Sequence, residues 1–330
     1  KFFLMDKDEV ISIFPIKNMN FKYNKIKFIN EIIINGKAFN SNFNLDIKKY
    51  FLEDESLNFI LKFPQINLSV MAKMLPQKKN KDKYKIFNKV NFFGSEIKSE
   101  FDFDKNSATF KSIKSKVFNS QIDFSGIIEF QPFFMTSNII LDQLNLIKIF
   151  KSNELLFKWL DKKNLVHKNF NSEIAIDVKK FSKENIFDSA IFFIKSQNGL
   201  IKFKDSTFNS KKFGSLKILS SRLYINNNRL FLNSHILVDI QNQKKFYNIF
   251  QIPKIYRTDI KKINLDFVIN LTSGTTKITH FQINNIISNS LTKKINKVIK
   301  DNNIDINKNF NNWIVLKKLL NIVILQVNEE

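Results

Sequence analysis

Two-residue alternation of apolar and polar side chains runs through most of this chain, and it restricts the fold to extended strands that each bury one face. In "VFNSQIDFSGIIEF", residues 117–130, Phe118, Ile122, Phe124, Ile128 and Phe130 point one way and Gln121, Asp123 and Glu129 the other. "LNFILKF" does the same with Leu57, Phe59, Leu61 and Phe63, and "EIKSEFDFD" with Ile97, Phe101 and Phe103. "EIAIDVKKF" aligns Ile174, Ile176 and Val178, while "LIKFKD" aligns Ile201 and Phe203. Two hairpins are expected. One turns at Asn226 to Asn228, and the other turns near Ser273 and Gly274 after Ile263, Leu265, Phe267, Ile269 and Leu271. Roughly fifteen strands follow from this pattern; short connections and one polar face per strand make them antiparallel.

Interruptions are few. Leu68 to Leu75 are expected to form one or two helical turns, and "LPQKKNKDKYK" (75–85) a solvated loop. Helical spacing returns through Leu155, Leu156, Trp159 and Leu160, with Ser152 or Asn153 as a cap. The C-terminal "IISNSLTKKINKVIKDNN" and "NWIVLKKLLNIVIL" suggest helices; Lys317 and Lys318 interrupt the second, so Trp313 to Val327 suits packing on the sheet end or resting at a membrane surface better than spanning one. The expected organisation is a first β-sheet block over 1–142, a helical insertion over 143–171, a second β-sheet block over 172–284 and a helical segment over 285–330.

The net charge of +23 raises the question of a nucleic-acid or anionic-membrane partner. Lysines scattered singly along polar strand faces, with only Arg222, Arg229 and Arg257 for bidentate base readout, argue against nucleic acid. Absence of Cys removes disulfides and thiolate metal sites but leaves the compartment open. Lys1 in place of Met suggests a preceding apolar helix, since no run of ~20 apolar residues occurs within the chain.

Catalytic patterns are missing. The six glycines, at 36, 94, 126, 199, 214 and 274, lie too far apart for a phosphate-cradling loop. His167, His235 and His280 lack metal-ligand spacing, and no GxSxG elbow occurs. Asp102 with Asp104, and Glu96 with Glu100, alternate on a solvated strand face. No enzymatic activity, cofactor or metal is expected.

One segment resembles a known family. "ATFKSIKSKVFNSQIDFSGIIEFQPFFMTSNIILDQLNLIKIF" (108–150) is similar to a recurring unit of the AsmA-like envelope proteins: two strands, the second carrying Ser125 and Gly126, a turn with Pro132, another strand, then Asp142 leading into Leu144 and Leu146. The likeness extends softly over 50–285 through "NSEIAIDVKKF", "NGLIKFKDSTF" and "SSRLYINNNRLFLNSHILVDI", although Gly is rarer here than in that family. It implies a mainly β fold, a long antiparallel sheet curled into an elongated apolar groove, with short helices at insertions and a helical C-terminal end. It also implies an inner-membrane anchor, a periplasmic body, and phospholipid acyl chains carried toward the outer membrane. The groove would then be lined by Phe59, Leu61, Phe63, Phe101, Phe103, Ile122, Phe124, Ile128, Phe130, Ile174, Ile176, Val178, Ile201, Phe203, Ile263, Leu265, Phe267 and Ile269. Flexible chains need only such an apolar lining. From alternation alone, packing on a second sheet as ordinary core is the favoured reading of the same faces, and it is the resemblance that brings the groove level with it. A different role on the same fold is a non-enzymatic assembly factor whose sheet edge pairs with outer-membrane or other envelope proteins.

Overall fold

The structure is a computed structural model, and the residues it describes are 2–145 and 171–301, less 7, 8, 39, 40, 53, 78, 79, 93, 183–185, 228, 274 and 288. The chain is mainly β, with long antiparallel strands and, among the described residues, two short α-helices. It divides into two compact units, Lys1–Leu144 with Lys148–Ile174, and Asn145–Ile147 with Ala175–Glu330.

In the first unit a separate hairpin, β1 (Phe2–Asp6) and β2 (Glu9–Phe14), precedes a meander of β3 (Ile16–Asn24), β4 (Ile29–Ala38), β5 (Ser41–Tyr50), β6 (Leu57–Phe63), β7 (Leu68–Gln77), β8 (Asn80–Phe92) and β9 (Ser95–Phe103). Each meander strand is hydrogen-bonded to the next. Two short strands, β10 (Ser107–Ser112) and β11 (Ser115–Val117), both pair with β9 on one side and with β12 (Ser120–Phe130) on the other; β13 (Phe133–Leu141) then pairs with β12. Ser115 repairs the break between β10 and β11. Its Oγ accepts from the Lys98 backbone N–H at 2.8 Å and donates to the Lys98 carbonyl at 2.7 Å.

Three expectations from the sequence change here. Residues 68–75 are strand, because Leu68–Gln77 is hydrogen-bonded to β6 and β8 and two-sided pairing overrides the local helix preference of Ala, Met, Lys and Leu. The single local turn is the 3-10 helix Pro64–Ile66. Residues 75–77 and 80–85 belong to the facing ends of β7 and β8, Leu75 opposite Lys85 and Pro76 opposite Tyr84, so Lys83, which is exposed, and Lys85 lie on a strand and not in a loop. Phe118 leaves the strand: with Asn119 it adopts positive φ, 49° and 71°, to turn the chain from β11 into β12. The strand that follows keeps the expected alternation, with every even position from Ile122 to Phe130 less exposed than its odd neighbours.

β14 (Asn171–Val178) lies at the division between the units. The second unit continues with β15 (Ser189–Gln197), β16 (Leu200–Ser210), β17 (Gly214–Asn226) and β18 (Arg229–Ile240). Helix α1 (Gln243–Phe250), strands β19 (Lys262–Asn270), β20 (Thr276–Ile283) and β21 (Ile286–Ile287), and helix α2 (Asn289–Asp301) follow. Both expected hairpins are present, as β17–β18 and β19–β20. The anticipated C-terminal helix is α2, whereas residues 146–170 and Trp313 to Val327 lie outside the described residues.

Helix α1 was not anticipated from periodicity. Asn242 caps it, accepting from the Lys245 N–H at 3.0 Å, and Phe246, Tyr247 and Phe250 turn inward against Phe213. Leu291, Ile295 and Ile299, spaced by four along α2, join Ile263, Ile278 and Phe281 of the sheet in the same buried cluster. Asn296 pins that helix to a β-bulge. The register of β20 against β19 passes from His280 opposite Asp266 to Ile278 opposite Phe267, and the Asn296 amide accepts from Ile278 N–H at 2.8 Å and donates to its carbonyl at 2.7 Å.

Candidate functional site

Residues directly opposite one another in an antiparallel pair share a face, so the strand register shows which side chains form a continuous surface. In the first unit one row reads Met19, Ile34, Leu45, Leu61, Val70, Val90 and Ile97 from β3 to β9. The next row on that face carries Phe21, Ile32, Ile47, Phe59, Ala72, Asn88 and Ser99. A third begins at Leu57 and passes through Met74, Ile86, Phe101 and Phe110 to Gly126 and Ser137, and a fourth joins Tyr84, Phe103, Ala108, Ile128 and Met135. Aromatic rings meet within the third row and between neighbouring rows. Phe101 stacks on Phe110 at 5.4 Å between centroids, Phe110 lies 6.2 Å from Phe124, and Phe103 lies 4.9 Å from Phe130.

The face therefore gathers Phe59, Leu61, Phe63, Phe101, Phe103, Ile122, Phe124, Ile128 and Phe130, which alternation alone had singled out strand by strand. Of these, Phe63 and Ile122 are buried, and the other seven are only half-buried. Sequence reading missed Val70, Met74, Ile86 and Phe110 on the same face. The first two sat in the supposed helical turns, Ile86 begins beyond the supposed loop, and β10 is too short for alternation to show. Their signal is the register itself.

In the second unit Ile201, Leu223, Leu232 and Ile269 form one row, and Phe203, Ser221, Ser234 and Phe267 another. Here the face is covered at β19 and β20. Ile263 and Ile269 are buried, and Leu265 and Phe267 pack against the cluster that includes Phe246, Leu291 and Ile295. Ile201 and Phe203 stay half-buried. Ile174, Ile176 and Val178 share one face of β14, with Val178 fully buried.

The opposite face of the first unit is a lattice of ion pairs. Lys48 reaches Glu31 at 2.9 Å and Asp46 at 3.3 Å, Lys85 and Lys111 reach Glu100 at 2.7 and 3.5 Å, and Lys89 and Lys98 flank Glu96 at 2.6 and 2.7 Å. Hydrogen bonds from Lys89 and then Lys98 push the Glu96 carboxyl down to about 2, and Lys85 holds Glu100 below its ordinary value. A depressed carboxylate stabilises the fold above its unfolded value, near 4.5, and loses that contribution as pH falls through its folded value. The unfolding midpoint of wild type is therefore expected to approach that of Glu96→Gln between about pH 4.5 and pH 2, and added salt shrinks the gap at pH 6 because these pairs are solvated. A gap unchanged from pH 6 to pH 2 in thermal unfolding contradicts the pairing.

A separate depression of about 380 Å³ is lined by residues from both registers, among them Phe59, Ala72 and Ser99, and Met71, Phe87 and Lys89. It is at the small end of ligand pockets, and from the apolar face it takes in Phe59, Ala72, Asn88 and Ser99, consecutive members of the second row. The two described histidines lie elsewhere, on the polar face of the second unit. His235 Nε2 is 2.7 Å from Asn264 Oδ1 and 3.8 Å from Asp266, which pairs with His280 across the strands. His167 lies outside the described residues. Among the described residues no helix is long and apolar enough to cross a membrane. Comparison with protein-family models, with curated proteins and with solved structures found no match.

Proposed function

We propose that the chain is a non-enzymatic lipid carrier, related to the AsmA-like envelope proteins, that holds phospholipid acyl chains along the apolar face of its first unit. The observation that carries this reading is the half-buried state of Phe59, Leu61, Phe101, Phe103, Phe124, Ile128 and Phe130 on one unbroken face. In a two-layer sandwich such rings sit in a dry interior. Left partly exposed, each forgoes part of the ~1.5–3 kcal/mol that full burial of a large apolar side chain contributes. An acyl chain laid across the rows recovers that energy at ~0.8 kcal/mol per buried methylene and asks for no fixed polar partner.

The resemblance of 108–150 to the AsmA-like unit supports the same reading, and from it come the proposed periplasmic body, inner-membrane anchoring and transport toward the outer membrane. In the second unit α1 and α2 close the equivalent surface at β19 and β20, so the proposed carrying face is that of the first unit.

The test is site-specific photocrosslinking. With a benzophenone amino acid in place of Phe103, irradiation of protein taken from lipid-rich cells is expected to give a phospholipid adduct by mass spectrometry. Phe87, which faces the other side of β8 and is 38% exposed, serves as control and is expected to give none. Equal labelling at both positions, or no adduct at Phe103, overturns the carrier reading.

A further inference from the structure

The stretch "FKYNKIKF", residues 21–28, spans the end of β3 and the turn into β4, and all eight residues are exposed. Phe21 is 61% exposed, Ile26 90% and Phe28 44%. Exposed apolar side chains scattered singly are ordinary, but these adjoin one another. The Phe51 N–H donates to the Phe28 carbonyl at 3.2 Å, which sets Phe51 and Leu52, 48% and 53% exposed, beside the tip. The tip is shaped by its own sequence: Asn24 Oδ1 accepts from the Ile26 and Lys27 N–H groups at 3.1 and 3.0 Å, and Phe28 adopts φ 50°.

Charge identifies the partner. Lys22, Lys25 and Lys27 alternate with Phe21, Tyr23, Ile26 and Phe28, and no acid lies between 21 and 28. The next acid along the chain, Glu31, is engaged by Lys48 at 2.9 Å. The adjoining loop carries three acids, Glu53, Asp54 and Glu55; Asp54 is held by Lys73 at 2.6 Å, and Glu55 is exposed. Aromatic and aliphatic side chains at a tip, interleaved with lysines whose stems are apolar and whose heads are cationic, match the two layers of a membrane interface. The apolar groups enter below the headgroups and the ammonium groups stay among anionic phosphates.

We propose that this tip, with Phe51 and Leu52, docks on the surface of an anionic lipid bilayer. Tyr23 and Phe21 belong to the rows that continue through Asn30 and Ile32 into the apolar face, so docking brings the end of that face to the lipid. The docking site goes beyond the carrier reading and stands or falls without it: vesicle binding reads the one, the Phe103 adduct the other.

The test is sedimentation of the full chain with vesicles of phosphatidylcholine alone and of phosphatidylcholine mixed with phosphatidylglycerol, at low and at physiological ionic strength. Binding is expected to the mixed vesicles and to weaken with salt. Replacing Lys22, Lys25 and Lys27 together by Gln is expected to lower partitioning by roughly 100-fold. The same change at the exposed Lys202, Lys204 and Lys217 of the second unit is expected to leave it unaltered. Ile26→Trp is expected to blue-shift in fluorescence on the mixed vesicles, and Ile26→Asp to bind more weakly; both report apolar insertion even if the triple variant fails to fold. The proposal is overturned if wild type does not bind, if both triple variants lose binding equally, or if Trp at position 26 stays in water. Lysine-dependent binding of a DNA duplex without vesicle binding overturns it as well.

Discussion

Aspartate at Phe103 or Phe124 is expected to strip lipid from the protein while leaving it folded, whereas aspartate at Phe281 is expected to unfold the second unit. Phe281 is 2% exposed and packs among Ile263, Ile278, Leu291 and Ile295. A carboxylate there meets no solvent and no partner, and loss of the ring alone costs about 3–5 kcal/mol. Phe103 and Phe124 are only half-buried, so on the carrier reading a carboxylate there reaches water and the loss is closer to ~1–2 kcal/mol. Phe267 makes a sharper comparison. It shares a row with Phe203 but packs against the covered cluster, and Phe267→Asp is expected to behave like Phe281→Asp. Circular-dichroism melting and lipid quantified by mass spectrometry separate the two behaviours. If Phe103→Asp and Phe124→Asp unfold as readily as Phe281→Asp, the face is ordinary core and carries nothing.

Why the two faces differ was only partly legible in the amino-acid order. Alternation marks the side of a strand that avoids water, as in β12, where every even position from Ile122 to Phe130 is less exposed than its odd neighbours, because a period of two is a property of one strand. Whether that side meets a covering layer is a property of elements distant in the chain. Leu265 and Phe124 read alike as sequence, yet Leu265 packs against the cluster formed with α1 and α2. Helix α1 escaped notice because its eight residues give only about two turns, too short a window for the three- and four-residue spacing of Phe246, Tyr247 and Phe250 to stand out between long strands. Leu68 to Leu75 misled for the opposite reason. Ala, Met, Lys and Leu favour helix locally, and β6 and β8 supply the hydrogen bonds that reverse the preference. Phe118 kept the beat of alternation through a turn, where the positive φ of two successive residues shifts which side chains share a face.

Gly126 is expected to be the least replaceable position of the first unit, with Gly126→Ala costing about 3 kcal/mol, at the upper end of overpacking losses. It sits in the middle of β12, in the row that runs from Phe101 through Phe110 to Ser137. A Cβ built there would lie 2.1 Å from the Thr136 carbonyl oxygen and 2.4 Å from Cζ of Phe110. The ring has somewhere to go, at the expense of its contact with Phe101; the carbonyl does not, because β13 is fixed to β12 by nine consecutive register pairs. Glycine in a strand interior normally weakens it through backbone entropy, and alanine would regain up to ~1 kcal/mol if space allowed. Gly94 provides the contrast. Its φ is +74° with nothing within 4 Å of a Cβ, so Gly94→Ala suffers backbone strain alone, on the order of 1 kcal/mol. Adding Phe110→Leu to Gly126→Ala relieves the ring but not the carbonyl, and is expected to restore less than half of the loss. Urea unfolding of the four proteins distinguishes these effects. Gly126→Ala within ~0.5 kcal/mol of wild type, the ordinary range for a surface change, means that β10 and β13 do not flank β12 in this register and that the aromatic rows built on it are misassigned.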